Sequence, residues 1–500
     1  LKNCSVENIS QKQRQPSTQL HQRLNNMNRK IFILPVMIIL LSVGCTMAPR
    51  YTRPDTPVPA QWPKGPAYIH MENATDESTP LATQLSWSDF ITDANLREII
   101  KTALKNNRDL RIAAMNVEMA RALYGIERVS LLPSVNAAGS MVKERVPGDL
   151  SSSGSAYTAE QYSVNLGITS WEIDFFGRIR SLKDQALEEY LATEQALSGA
   201  HLMLVSAVAQ AYLALAADKE SLQLVSKTLE IQQDTYNLIK KRFDAGMISE
   251  LDLKRAQSQV ETARGDVALY TQQLAHDENA LNLLVGTPVR PELLPQNLTA
   301  VSAPRNISAG LSSEILLRRP DIVAAEHRLK AANANIGVAR AAFLPRIALT
   351  TAFGTASADL SGLFKSGSKT WTFAPNVVMP VFDARTWFAY DATKIEKEIS
   401  IAQYEKVIQT AFREVSDALA EKSMISQRVA AHQSLVEALQ DAHRLAQLRY
   451  EKGMDSYLSV LDAQRSLRIA QQGLIMLRFA QTNNLITLYK TLGGGADRQE

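Results

Sequence analysis

Residues 242–257 read RFDAGMISELDLKRAQ, and residues 449–464 read RYEKGMDSYLSVLDAQ. Arg242 answers to Arg449, Gly246-Met247 to Gly453-Met454, Ser249 to Ser456, Leu251 to Leu458 and Ala256-Gln257 to Ala463-Gln464, each pair 207 residues apart. The correspondence extends to Gly286 and Gly493 at the same offset. Further upstream the offset is 212: Asp109 answers to Asp321, Gly125 to Gly337, Arg128 to Arg340 and Leu132-Pro133 to Leu344-Pro345. A constant offset sustained over more than about forty residues marks a duplicated structural unit. The change from 212 to 207 places a five-residue length difference between positions 133 and 242, most simply in a loop.

Each half has the same internal order. A helical pattern closes on Leu-Pro (90–132 and 311–344). Two alternating stretches follow, about 134–146 and 160–175 in the first half and about 346–354 and 370–382 in the second. A long helix pair completes each half, 178–285 and 384–491, turning at Gly246 and Gly453. In the alternating stretches Tyr162, Val164, Leu166 and Ile168 share one face, and Ser163, Asn165, Gly167 and Thr169 the other. Ile347, Leu349, Thr351 and Phe353 alternate as well, and Trp371, Phe373, Val377, Met379 and Val381 repeat the pattern, whereas 134–146 alternates poorly. An apolar and a polar face at period two suit a transmembrane barrel strand and also a half-buried soluble sheet. The tips between the paired stretches, 147–159 and 354–370, are small and polar, as exposed turns are.

No proline interrupts 148–287 or 381–500. Leu222, Val225, Leu229, Gln232, Tyr236, Ile239 and Phe243 follow a 3-4 spacing, and so do Val429, His432, Val436, Leu439, His443, Ala446 and Tyr450. Such rows are coiled-coil seams. A helix from about 178 to 244 would be roughly 100 Å long at ~1.5 Å per residue.

Composition narrows the chemistry. The 500 residues carry 54 basic and 51 acidic side chains, a net charge of +3, with no dense basic patch interleaved with aromatics, so nucleic acid is not an expected partner. Two cysteines, Cys4 and Cys45, and seven scattered histidines offer neither a disulfide framework nor metal-ligand spacing. Nucleophile-elbow, phosphate-loop and HExxH motifs are absent, so no enzymatic activity, metal or cofactor is expected.

The N-terminus carries an address. Arg29-Lys30, the apolar run Ile31 to Leu41 and Ser42-Val43-Gly44 describe a signal peptide, too short to span a membrane, with Met27 as its expected start. Cys45 after Gly44 resembles a bacterial lipobox, with Ser42 where leucine is usual; that resemblance implies a covalent lipid on Cys45. Thr46, in place of aspartate, implies export to the outer membrane. Residues 45–85 form the anchor and an extended linker rich in Pro, Thr and Ala. The rest divides into a first repeat 86–286, a connector 287–310, a second repeat 311–495 and a tail 496–500.

Four strands cannot close a membrane barrel, because about eight is the smallest closed set and unpaired edges in lipid are prohibitive. Several copies must pool strands, and three copies give twelve.

Trp171-Glu172-Ile173-Asp174-Phe175-Phe176-Gly177-Arg178, Leu317-Arg318-Arg319-Pro320-Asp321-Ile322, Ala341-Ala342-Phe343-Leu344-Pro345, Leu461-Asp462-Ala463-Gln464-Arg465 and the ending YKTLGGG at 489–495 now carry a family resemblance. Together, over about 45 to 495, the chain resembles the TolC-like outer membrane factors, in their lipoprotein (NodT-type) branch of multidrug efflux. The resemblance implies a membrane α+β class: a homotrimer sharing a twelve-stranded β-barrel and a twelve-helix periplasmic α-barrel, with a belt from 55–100, 287–318 and the C-terminal tail. It implies a passive exit duct working with a periplasmic adaptor and an inner-membrane pump of resistance-nodulation-division type. It places the periplasmic gate at Leu458 as an apolar ring and Asp462 as an acidic ring, with Arg465 one turn on and Asp252 and Glu250 as gate partners. Asp455 and Ser459 stand where a basic and a second acidic gate residue are expected, which leaves the closing bonds open. Arg242, Gly246, Met247, Arg449, Gly453 and Met454 are the candidate adaptor-docking residues. A protein-secretion duct of the same family and a poreless periplasm-spanning coiled-coil scaffold share parts of this pattern.

Overall fold

The computed structural model describes residues 46–71, 80–310 and 312–495. The signal region, Met27, Cys4, Cys45 and the tail 496–500 lie outside the described residues. After a single helical turn at Trp87–Phe90, the chain forms α1 (Ala94–Asn106), α2 (Arg108–Val129), β1 (Val135–Val146), β2 (Tyr157–Glu172), α3 (Arg178–Asp244) and α4 (Glu250–Val285). The second half forms α5 (Pro320–Ala341), β3 (Arg346–Ser357), β4 (Lys369–Val378), α6 (Ala384–Glu451) and α7 (Tyr457–Thr491). The helical stretch expected over 90–132 is therefore broken. Asn107 leaves helical geometry, caps α2 by accepting from the Leu110 amide at 2.9 Å and donates to the Leu284 carbonyl at 2.8 Å. The stretch 311–344 likewise opens with a 3-10 turn, Ser313–Arg318, before Pro320 starts α5 with its fixed φ. The strand expected to reach 382 ends at Val378, opposite Arg346, the first residue of its partner β3.

The chain divides into two compact units. The first gathers the stretch ending at Tyr51, Leu123–Ala186 and Ala331–Lys397, and with them all four strands. They form one antiparallel sheet in the order β1-β2-β3-β4. Its register pairs Val135 with Ile168, Ala137 with Leu166, Leu166 with Phe353, Phe353 with Trp371 and Ile347 with Val377. The apolar rows of all four strands thus fall on one face, where Trp371 is 75% exposed. A bulge between Ile168 and Trp171 returns Trp171 to that face opposite Leu349. The other face is polar, with Ser140 bonded to Ser163 at 2.8 Å and Asn165 donating to Ser163. β1 pairs along its whole length; Ala137 and Gly139 on its apolar face hide the alternation from a sequence reading. From Trp371 to Val377 the apolar band is about 20 Å tall at ~3.4 Å per residue, and the Lys143–Glu160 ion pair lies beyond its far end.

Short ties close the junctions of this unit. Arg178 grips Glu172 with two hydrogen bonds of 2.7 Å, and Arg180 binds Asp174 at 3.1 Å. The stretch 46–51 lies against α5: Asn333 donates to the Pro49 carbonyl at 2.8 Å and Arg340 to the Met47 carbonyl at 3.3 Å. A side chain at Gly337 would put its Cβ 2.7 Å from the Ala48 amide nitrogen and 2.5 Å from the Ser181 hydroxyl, so the strap sits where only glycine fits.

The second unit gathers Thr52–Ala122, Leu187–Lys330 and the chain from Glu398 onward. Its core is built by Val208, Tyr212, Leu213 and Leu215 of α3, Tyr404, Ile408 and Val415 of α6, and Ile486, Leu488 and Tyr489 of α7, all buried. The apolar stretch of α3 has the length and hydropathy of a membrane span, but its side chains fill this core. Phe90 stacks on Tyr489 at 4.1 Å, and the Tyr489 hydroxyl donates to the Leu85 carbonyl at 2.9 Å. The connector is pinned by Lys219 on the Pro295 carbonyl (3.0 Å) and Lys422 on the Ile307 carbonyl (2.8 Å). Arg319 is nearly buried and joins Asp321 (2.7 Å), Glu414 (3.1 Å) and the Thr491 carbonyl (2.7 Å). These carboxylates hold its guanidinium pKa above the usual range against the opposing effect of burial.

Candidate functional site: the two hairpin turns and the α7 face

Both helix pairs turn by the same device. Gly246 and Gly453 each adopt φ +71°, a left-handed conformation that suits glycine. The Met247 amide donates to the Arg242 carbonyl and the Met454 amide to the Arg449 carbonyl, both at 2.9 Å. Ser249 then caps α4, accepting from the Asp252 amide at 3.2 Å. The duplication seen as a 207-residue offset is also one of backbone hydrogen bonds at the turn, though not of the cap, since Ser456 makes no side-chain bond at the start of α7. Met247 and Met454 are exposed at the turns.

The two turns pack on each other. Ile239, Ala256, Tyr457, Val460 and Leu461 form one buried cluster, with Tyr236, Leu253, Ala446 and Tyr450 against it. Burial pushes the Tyr457 hydroxyl up to about 12, with Tyr450 and Asp252 nearby adding to the effect. Tyr457, Val460 and Leu461 face inward, which leaves Leu458, Asp462 and Arg465 on an adjacent, exposed side of α7. Leu458 is 44% exposed, and Asp462 and Arg465 are paired at 3.5 Å one helical turn apart. The three candidate gate residues thus share one open face.

The other candidates are placed differently. Asp252 accepts from Ser249 at 2.8 Å and faces Arg255 at 3.6 Å on its own helix. Glu250 stands exposed in the first turn of α4. The two arginines proposed for docking are engaged: Arg242 lies over the Tyr450 ring at 5.8 Å, and Arg449 clasps Asp455 at 2.5 Å. Asp455, which departs from the family's gate pattern, therefore closes its own turn. The Arg449 guanidinium holds the Asp455 carboxyl below the usual carboxylate range.

Three features escaped the sequence. Asp266 of α4 and Arg468 of α7 form an ion pair between the two helix pairs. Asp218 of α3 is pushed up to about 7 by burial and by the adjacent Asp277. His432, half-buried in its seam, has its ring against Gly473 of α7, where a Cβ would meet the imidazole Cε1 at 2.7 Å.

A sheet with one apolar and one polar face, wired twice into proline-free helical hairpins, fits an outer-membrane channel protein. Comparison with known proteins agrees. The chain matches the outer membrane efflux protein family over residues 99–287 and 311–494, stretches whose starts lie 212 residues apart and whose ends lie 207 apart. The chain belongs to that family. It is 45% identical to the probable efflux pump outer membrane protein TtgC of Pseudomonas putida over 471 residues, covering 94% of this chain and 96% of the relative. It is 40% identical to the outer membrane protein OprJ of Pseudomonas aeruginosa over 474 residues, 94% and 97% of the two chains. Among solved structures, a membrane protein from Pseudomonas aeruginosa superposes with a TM-score of 0.83 at 40% identity, covering 90% of this chain and all of the other. The open state of the MtrE outer membrane channel of Neisseria gonorrhoeae superposes with a TM-score of 0.80 at 37% identity, covering 90% and 99%. The protein is an outer-membrane efflux channel component of a Gram-negative cell.

Proposed function

We propose that three copies of this chain pool their sheets into one closed twelve-stranded barrel and their long helices into a twelve-helix tunnel. A lipid on Cys45 anchors the assembly, which is a passive exit duct for small molecules. A periplasmic adaptor docks at the helix turns, and an inner-membrane pump of resistance-nodulation-division type supplies the energy. The observation that carries this reading is the open four-stranded sheet. β1 and β4 are its edges, and its apolar face is fit for lipid. An open edge in hydrocarbon leaves backbone groups unpaired at several kcal/mol each, so closure by further copies is the stable outcome.

Gating follows from the α7 face. Three copies of Leu458 narrow and dewet the tube, and three of Asp462 give it an acidic ring that favours cations. Each Asp462 is partly neutralised by Arg465 on its own helix, which weakens the ring until that pair separates. The engaged Arg242 and Arg449 stiffen the turns, leaving the exposed Met247 and Met454 as the adaptable apolar contacts for a partner helix pair.

Expression in cells that lack their own outer-membrane channel, but retain pump and adaptor, tests the reading. Restored resistance to the pump's substrates, lost in a Cys45→Ala, Met247→Asp, Met454→Asp variant that still folds, is the expected result. Correctly localised protein that leaves the cells sensitive contradicts it and favours a poreless scaffold.

A further inference from the structure

The apolar band of the sheet does not stop at its last strand residue. Val381, beyond the end of β4, is 96% exposed, and Trp387 and Phe388 in the early turns of α6 are 61% and 74% exposed. Trp387 meets Phe343 edge-on at 4.9 Å, and Phe343 meets Tyr390 edge-on at 6.0 Å. Phe343 stands just before Arg346, whose partner in the sheet is Val378, so the three rings gather at the foot of the band.

Two cations stand over the Tyr390 ring. The exposed Arg340 guanidinium lies over Tyr390 at 5.8 Å. Among the described residues its hydrogen bonds go to neutral oxygens, the Tyr390 hydroxyl at 3.4 Å and the Met47 carbonyl at 3.3 Å. Two neighbouring cations of α6 are matched. Lys394, on Tyr390 at 4.7 Å, pairs with Asp391 at 2.7 Å, and Arg385 pairs with Asp383 at 2.8 Å. Among the described residues, Arg340 thus contacts the rings without a carboxylate partner, and two of the three rings bear a hydrogen-bond donor.

The first half of the chain lacks this arrangement. Arg128, the repeat mate of Arg340, lies over Tyr124 of its own helix at 5.9 Å. Carried back along the uninterrupted helices at the 207-residue offset, Trp387 and Tyr390 answer to Arg180 and Lys183, which pair with Asp174 and Asp184. Where one half closes its strand–helix junction with ion pairs, the other presents aromatic rings and an arginine without a carboxylate partner among the described residues.

We propose that Arg340, Phe343, Trp387 and Tyr390 form a seat for a glycerophospholipid at the foot of the membrane band. The guanidinium takes the phosphodiester, and the rings line the glycerol and upper acyl region. Amphipathic rings settle at the headgroup level of a bilayer, and a basic side chain there selects anionic lipid. The seat rests on the reading of the sheet as membrane-spanning, and continuity with that band is what commits it to lipid rather than a soluble anion. Because Arg340 also holds the Met47 carbonyl, lipid in the seat would lie beside the strap that leads to residue 45.

The test uses the full-length protein in vesicles of phosphatidylethanolamine and phosphatidylglycerol. Wild type is compared with Trp387→Phe and with Trp371→Phe, using lipids brominated near the glycerol or near the acyl ends. The Trp387 emission should be quenched more by the shallow bromines than by the deep ones, and quenching of Trp371, at the other edge of the band, reports insertion. Spin-labelled phosphatidylglycerol should be retained over phosphatidylcholine by about fivefold, the weight of one interfacial cation. Arg340→Gln should abolish that preference, and Arg340→Lys should restore most of it. If Trp371 is quenched but Trp387 is not, a second copy of the chain covers the rings and the proposal fails. If Arg340→Gln keeps the full preference, the headgroup seat is likewise overturned. If Trp371 itself escapes both quenchers, the membrane reading of the sheet is what fails.

Discussion

Asp266 and Arg468 lie on different helix pairs, α4 and α7, and are joined by an ion pair whose side chains are each about one-quarter exposed. It ties the two hairpins together within the unit that holds the gate face. Loss of either partner should lower stability by about 1–2 kcal/mol, between the values for exposed and buried pairs. Urea unfolding of Asp266→Ala, Arg468→Ala and the double variant checks this. The double variant should lose less than the two single losses combined. Strict additivity would mean that the pair contributes nothing as a pair.

The tip cluster gives a second expectation. Tyr457 is buried and its hydroxyl finds no hydrogen-bond partner among the described residues, while Leu461 is buried in the same cluster. Tyr457→Phe should be neutral or slightly stabilising, because it removes a desolvated hydroxyl and keeps the ring. Leu461→Ala should cost about 3 kcal/mol through lost contacts and a residual cavity. Thermal unfolding of both variants would show the contrast.

Asp218 sets a pH dependence with a definite sign. Its carboxyl titrates near 3.8 when unfolded and near 7 when folded beside Asp277. Between about pH 4 and about pH 7 the native state therefore holds a proton that the unfolded chain has released. Stability from this group falls as pH rises across that window and is flat above it. The wild-type unfolding midpoint should drop relative to Asp218→Asn as pH is raised through the window. A constant difference between the two proteins would refute the assignment.

Gly337 should be intolerant of a side chain. Its Cβ would stand 2.7 Å from a backbone nitrogen of the strap and 2.9 Å from the Ala48 Cα, neither of which can rotate away. Gly337→Ala should lift the stretch 46–51 from α5. Limited proteolysis would show it as faster cleavage there, with the helical core unchanged. Equal cleavage rates would mean that the strap is held from elsewhere.

The duplicated unit was legible because its hairpins lack proline and turn on glycines at a fixed offset, and those glycines take up the same left-handed φ. Strand faces were legible from period-two alternation in β2, β3 and β4, and obscured in β1 by Ala137 and Gly139. The shared face of Leu458, Asp462 and Arg465 followed from spacing alone. What did not follow were pairings across the fold. Asp266 and Arg468 are 202 residues apart and are not repeat mates, so nothing in the duplication points from one to the other. Of the two arginines among the docking candidates, Arg242 meets Tyr450 through the packing of the two turns, which the spacing does not show, and Arg449 pairs with Asp455 of its own turn. Two of the motifs that carry the family resemblance serve junctions, while a third holds the candidate gate residues Asp462 and Arg465: Arg178 holds Glu172, and Arg319 holds Asp321, Glu414 and the Thr491 carbonyl.

Ion conductance of the purified protein in a planar bilayer, wild type beside Leu458→Ala and Asp462→Ala, is the most direct test of a trimeric channel narrowed at the α7 face. Wild type should show small cation-preferring openings. Leu458→Ala should widen them, and Asp462→Ala should weaken the cation preference. Verified insertion with no current from any of the three, or with currents indifferent to both substitutions, would contradict the channel or its gate respectively.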